Sequence, residues 1–151
     1  MKASKFIVLA GGVVGILAFF LPMVAVHRSD FTGTVSAFQI IKGLDSAAVN
    51  DLKGIVMAFF SPAILLTLSG GMGVARKKFG RVAGAFSLIF GLIGLGIGGL
   101  LTSAAEGDSG SGLTLLLVTG VAGVVGGLMA LIKPELAQAR ASAPRLMAAA
   151  A

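Results

Sequence analysis

Apolar and polar positions alternate along this chain on a long scale. Four apolar runs, residues 6–26, 54–75, 82–101 and 113–132, are separated by shorter polar stretches, and none of the four contains Asp, Glu, Lys, Arg or His. A helix needs about 20 apolar residues to cross the hydrocarbon of a bilayer, and each run supplies that many. The pattern predicts an all-α integral membrane protein with four transmembrane helices. The short connections make sequence neighbours antiparallel, so the expected domain is one bundle over residues 1–132, followed by a flexible tail over 133–151. The first run follows Lys2 and Lys5, as a signal peptide would. Its apolar core exceeds the roughly 7–15 residues of a signal sequence and Met23-Val24-Ala25 is a poor cleavage site, so it reads as a retained span.

The longest polar interval, residues 27–53, carries a helical signal of its own. Ser36 and Gln39 have the spacing of a capping box, and Ala37, Ile41, Leu44, Ala48 and Leu52 then recur at helical intervals. This predicts a short interfacial helix in the first outer loop, with Gln39, Lys42, Asp45 and Asn50 toward water. Gly43 divides the segment, so one helix and two short ones, the second capped by Asp45, fit equally well. The preceding DFTGTV fits a tight hairpin or coil.

Composition agrees with a bilayer as solvent: 56% of residues are hydrophobic, 12% are charged, and the mean hydropathy is +1.01. The net charge of +6 matters through its placement. Lys2, Lys5, Arg76, Lys77, Lys78, Arg81, Lys133, Arg140 and Arg145 cluster at the termini and in the connection RKKFGR, while Arg28, Lys42 and Lys53 are offset by Asp30, Asp45 and Asp51. The remaining connection holds only Glu106 and Asp108. Lysine and arginine bias then predicts both termini in the cytoplasm, and the short loops and alanine- and glycine-heavy usage suit a bacterial inner membrane. Arg76, Lys77, Lys78 and Arg81 are the candidate contacts to anionic lipid headgroups.

Small residues recur at helical spacing in every run. Gly84, Ser87, Gly91, Gly94 and Gly98 follow intervals of three and four, which puts them on one side of the third helix. Gly120, Gly123 and Gly127 do the same in the fourth run, Gly11, Gly15 and Ala18 in the first, and Gly54, Ala58 and Ser61 in the second. Lipid tails solvate leucine as well as another helix does, so helices in a membrane associate through close backbone approach, which small residues allow. These are the predicted packing seams, facing either another helix of the bundle or another subunit. Gly94, Gly96 and Gly99 also spell G-x-G-x-x-G, but no strand precedes them and their N–H groups are committed to a helix, so no dinucleotide site is expected.

Two tetrapeptides, FFLP (19–22) and FFSP (59–62), mark where proline removes a helical donor and frees the carbonyls of Ala18 and Ala58. Ser61 or a neighbouring helix is expected to satisfy them. Phe19, Phe20, Pro22, Phe59, Phe60 and Pro62 form a candidate apolar pocket.

Chemistry is sparse. There are no cysteines and His27 is the one histidine, so thiolate sites, bis-histidine haem and a Ser-His pair within the membrane are excluded. Small multidrug transporters look similar in span number but depend on a glutamate in the first helix, and this chain has none there. In topology the layout is also similar to claudin- and tetraspanin-type proteins, whose paired outer cysteines and tryptophan motif have no counterpart in residues 27–53, so no residue role follows from it. The expectation is a non-enzymatic protein with no catalytic, metal or cofactor site. It would act as an accessory or scaffolding subunit through its glycine-lined helices and a docking surface on the outer loop, with membrane lipids and a membrane protein or a second copy as partners, and no nucleic acid. The alternative is a small oligomeric channel or carrier for an uncharged or apolar solute or lipid.

Overall fold

A computed structural model describes residues 3–28, 31–43, 50–104 and 110–134, without the side chains of 25–28, 31–32, 43 and 50–53. In chain order it contains α1 (Ser4–Ala18), a hairpin of β1 (Pro22–Arg28) and β2 (Phe31–Ser36), α2 (Ala37–Gly43), α3 (Asn50–Ala75), α4 (Arg81–Ala104) and α5 (Ser111–Ile132). Three helices, α3 from Gly54, α4 and α5, are long and apolar enough to cross a membrane, and α1 is a shorter apolar helix. At 1.5 Å per residue α4 and α5 reach roughly 36 and 33 Å, against roughly 22 Å for α1.

The four helices pack around a common core. Helix α1 lies against α3 and α5, and α4 lies against α5 and less extensively against α3. The neighbours run antiparallel: Gly12 approaches Thr67 while Leu9 approaches Gly70, and Gly11 approaches Ala122 while Val8 approaches Gly126. All helix ends carrying Lys5, Arg76, Lys77, Lys78, Arg81 and Lys133 therefore meet at one end of the bundle, and the hairpin and α2 cap the other.

The first apolar run departs from expectation. It is not one helix over 6–26, because α1 stops at Ala18 and Pro22 opens a strand. Pro22 stands four residues beyond Ala18, where its ring would collide with the Ala18 carbonyl, and Leu21 before it is disfavoured in helical conformation. Val24 and Val26 then suit a strand. The Ala18 carbonyl accepts from the Leu21 N–H at 3.3 Å within a closing turn. The second tetrapeptide behaves differently. Pro62 stays inside α3, and the Ser61 hydroxyl donates to the freed Ala58 carbonyl at 2.7 Å. Leucine at the corresponding position in FFLP has no such group. Helix-forming Ala63, Ile64, Leu65 and Leu66 follow Pro62 in place of a β-branched alternation.

The hairpin pairs Val24 with Val35 and Arg28 with Phe31, antiparallel, so FTGTV of that stretch forms its second strand, while Asp30 lies outside the described residues. Between the Pro22–Ser36 and Val24–Val35 pairs β1 carries one extra residue, Met23. This bulge turns Met23 into the core, and its carbonyl accepts from the Gly110 N–H at 2.7 Å, just before α5. Gly110 must be glycine here, because a Cβ would run into the Pro22 carbonyl. Both bonds of the capping box form: Gln39 N–H donates to Ser36 Oγ at 3.2 Å, and Ser36 N–H donates to Gln39 Oε1 at 2.9 Å. Helix α2 ends at Gly43, and the expected continuation through Leu44, Asp45 and Ala48 lies outside the described residues. The tail beyond Pro134 lies outside them as well.

At the basic end the connection between α3 and α4 is anchored by Phe79. Its ring is fully buried in a cluster with Val8, Leu66 and Ala130, over Gly73, whose missing side chain leaves room for it. Lys77 just before it adopts φ of 53°, a left-handed conformation costly for a side chain and common where helices end.

These local features carry two expectations for unfolding in detergent micelles. Ser61→Ala leaves the Ala58 carbonyl without its donor and should cost about 1 kcal/mol or more. Lys77→Gly relieves the left-handed backbone and should stabilise by about 0.5–1 kcal/mol. An unchanged midpoint for Ser61→Ala would disprove the role given to its hydroxyl.

Candidate functional site at the helix interfaces

The buried residues of α4 are Gly84, Ser87, Gly91, Gly94 and Gly98. Three of them, seven apart, face α5 of the same chain. Gly84 lies opposite Gly127 and Ala130, Gly91 opposite Gly123 and Val124, and Gly98 opposite Leu117. At the centre a Cβ on Gly91 would stand 2.5 Å from the Val124 nitrogen, and one on Gly123 would stand 2.8 Å from the Gly91 Cα. Real atoms do not approach so closely, so neither backbone tolerates even a methyl group there without moving. Gly120 and Gly127 meet α4 in the same manner, at Leu95 and at the Gly84 carbonyl and Leu88. Ser87 turns toward α3, where its hydroxyl lies 3.3 Å from that of Ser69, and Gly94 sits at ordinary contact distance from Gly120 and Pro62.

Helix α5 is smooth on a second side. Gly126 approaches Val8, and Thr119 and Ala122 approach Gly15 and Gly11 of α1. Adjacent glycines explain how one helix serves two neighbours, since consecutive residues are about 100° apart around the axis. Gly126 faces α1 while Gly127 faces α4, and Gly11 faces α5 while Gly12 faces α3. Sequence reasoning passed over Gly12, Gly70, Gly73, Gly112 and Gly126. The doublets GG at 11–12 and 126–127 were the signal that a helix packs on two sides. The expected stripe Gly54, Ala58 and Ser61 is not a seam within the bundle: all three are exposed, and nothing lies within 4 Å of a Cβ placed on Gly54. The kept face of α3 instead holds Phe60, Pro62, Ala63, Leu66, Gly70 and Gly73.

Besides the Ser69–Ser87 pair, two hydroxyls inside the bundle are bonded to their own helices. Thr67 donates to the Ala63 carbonyl at 2.8 Å, and Thr119 donates to the Leu115 carbonyl at 2.9 Å. Such bonds satisfy a buried hydroxyl without demanding a partner helix.

The aromatic residues gather at the capped end as packing. The Phe19 ring stands edge-on to Phe60 at 4.9 Å between centroids, and Phe60 is buried together with Ala18, Met23, Ala37, Leu113 and Leu116. Phe59 and Phe19 pack against this cluster, and Pro62 is buried. Phe20 is instead exposed, 5.5 Å from the exposed ring of Phe38 on α2. Here the candidate pocket residues mostly fill space against one another.

At the opposite end Arg76, Lys77, Lys78 and Arg81 are exposed. Lys5 is nearly buried there, with its Nζ 5.7 Å from the Phe6 ring centroid, within cation–π range. No group of three or more His, Cys, Asp or Glu side chains comes together among the described residues. His27 lies in β1 opposite Thr32. No protein-family model, curated protein or solved structure matches this chain.

The two kinds of glycine in α4 make a paired test. Gly91→Ala should lower stability in micelles by about 1–3 kcal/mol through overpacking against α5. Gly99→Ala, where nothing lies within 4 Å, should be neutral or stabilising by up to about 1 kcal/mol, the helix-propensity difference. Equal effects at the two positions would refute the assignment of Gly91 to the interface.

Proposed function

We propose that this chain is a non-catalytic multi-pass protein of a bacterial inner membrane, with both termini cytoplasmic, that serves as an accessory or scaffolding subunit. The observation that carries the reading is the cap opposite the basic end. Buried Met23 and Ala37, the capping box, and the bonds from Phe38 N–H to the Phe19 carbonyl and from Gly110 N–H to the Met23 carbonyl tie it to the bundle. It presents Phe20, Val24 and Phe38 outward, each between 38% and 56% exposed. Apolar side chains held outward on a fixed platform suit docking of another protein.

The glycine seams support the same reading in a changed role. They face helices of their own chain, so they build the platform and the cap makes the contact. The charge asymmetry favours the orientation, since the end bearing Lys5, Arg76, Lys77, Lys78, Arg81 and Lys133 holds no Asp or Glu among the described residues. A two-stranded hairpin leaves unpaired backbone groups along both outer edges, which the hydrocarbon does not tolerate. We therefore place it at the outer interface, with the shorter apolar helix α1 and the turn after it leading up to it. A channel or carrier would need several copies, because Phe60, Leu66, Leu116, Ser87 and Thr119 fill the interior of one.

The absence of cysteine makes the orientation directly testable. A membrane-impermeant maleimide should label Thr34→Cys in intact cells and Lys78→Cys only after permeabilisation; the reverse pattern would invert the protein. A photoreactive side chain at Phe38 should give one discrete cross-linked species in native membranes, while one at the lipid-facing Leu100 should give none. Absence of a discrete adduct at Phe38, in a chain that runs as a monomer in mild detergent, would remove the scaffolding role.

A further inference from the structure

At the basic end, beside the short connection that joins them, a groove of about 750 Å³ lies between α3 and α4. Its walls are apolar. Leu68, Met72 and Phe86 are each at least half exposed along it, and Phe86 stacks on Phe90 with centroids 6.3 Å apart. Arg76 and Lys78 stand in its lining, the first beyond the end of α3 and the second in the connection that buried Phe79 anchors.

The lining runs from Leu65 in α3 to Arg76 just past its end, which at 1.5 Å per residue is roughly 16 Å. One leaflet of a bilayer has about the same depth of hydrocarbon, roughly 15 Å. We infer that this groove is a binding site for an anionic phospholipid, one acyl chain lying between α3 and α4 and the phosphate held by Arg76 and Lys78. The inference rests on the membrane placement proposed above, with the basic end at headgroup level.

The shape selects an elongated apolar tail and the mouth selects negative charge. Arg76 can present two parallel N–H donors to a phosphate, and Lys78 adds a second cation. No Asp or Glu among the described residues stands at this end to compete for them. A neutral partner helix would leave both cations uncompensated, so charge decides for the lipid. The site is narrower than the cluster RKKFGR: Lys77 and Arg81 do not line the groove. Lys133, at the same end, lies by a separate cleft with Ser4, Met129 and Ile132.

The chain has no tryptophan, so Phe86→Trp installs a single fluorophore in the groove wall. The full-length protein is reconstituted in phosphatidylcholine nanodiscs, and phosphatidylglycerol or phosphatidylcholine with brominated acyl chains is titrated in. Brominated phosphatidylglycerol should quench at about ten-fold lower mole fraction than brominated phosphatidylcholine, since two surface cations together favour anionic lipid by a factor of that order. That preference should vanish in Arg76→Gln/Lys78→Gln and persist in Lys133→Gln, and soluble glycerol phosphate should not displace the lipid. Equal quenching by the two lipids would overturn the proposal. So would loss of preference in Lys133→Gln, which would mean general surface attraction, or mass measurement showing a second copy of the chain over the groove. Failure of the membrane reading itself has a different signature, namely release of the protein from membranes by alkaline carbonate.

Discussion

The approach of α4 and α5 at Gly91 and Gly123 is the constraint on which the rest of the bundle depends. Two backbones come close enough there that a single added carbon would meet main-chain atoms. In a medium as apolar as the side chains themselves, dispersion between close-packed backbones is the attraction available, and it falls off within an ångström or so of separation. Repetition at Gly84 and Gly98 extends the contact over two heptads. Helix α5 carries a second smooth side toward α1, so it sits as the shared element against which α1 and α4 are both placed.

Close packing on that side has a counterpart in the looser contact of α3 with α4. Large side chains on α4 that would obstruct the seam, such as Phe86 and Ile89, are carried on its outer face. On the α3 side Phe86 and Phe90 help line the groove, and the two helices are bridged beside it by the serine pair Ser69 and Ser87. Phe79 then closes the end of the bundle and determines where the cations around it stand. The same distribution of small and large residues thus produces both a rigid interface and an open cleft.

At the other end, proline and serine decide how the chain leaves the bundle. FFLP ends α1 early and FFSP leaves α3 intact, so the capped end is built on one short helix and three long ones. The bulge at Met23 folds the hairpin back over the bundle, and the bond to Gly110 joins the first and last helical segments through it.

Sequence alone pointed to a bilayer as the medium and determined the long helices and the small-residue face of α4, because these depend on local quantities: length of an apolar run, absence of charge, and spacing at 3.6 residues per turn. It likewise identified the capping box, whose two bonds lie within four residues. The end of α1 was misread because apolar content continues through Val26 while the backbone rule of Pro22 overrides it, and FFSP shows that the rule yields when a hydroxyl is at hand. Which stripe meets which helix was decided only by the tertiary structure. Gly54, Ala58 and Ser61 have the same spacing as a true seam and face outward, since spacing places residues on one side of a helix but carries no information about what stands opposite. The groove beside Arg76 and Lys78 has the same origin: it lies between two helices, and the space between them is a property of the pair.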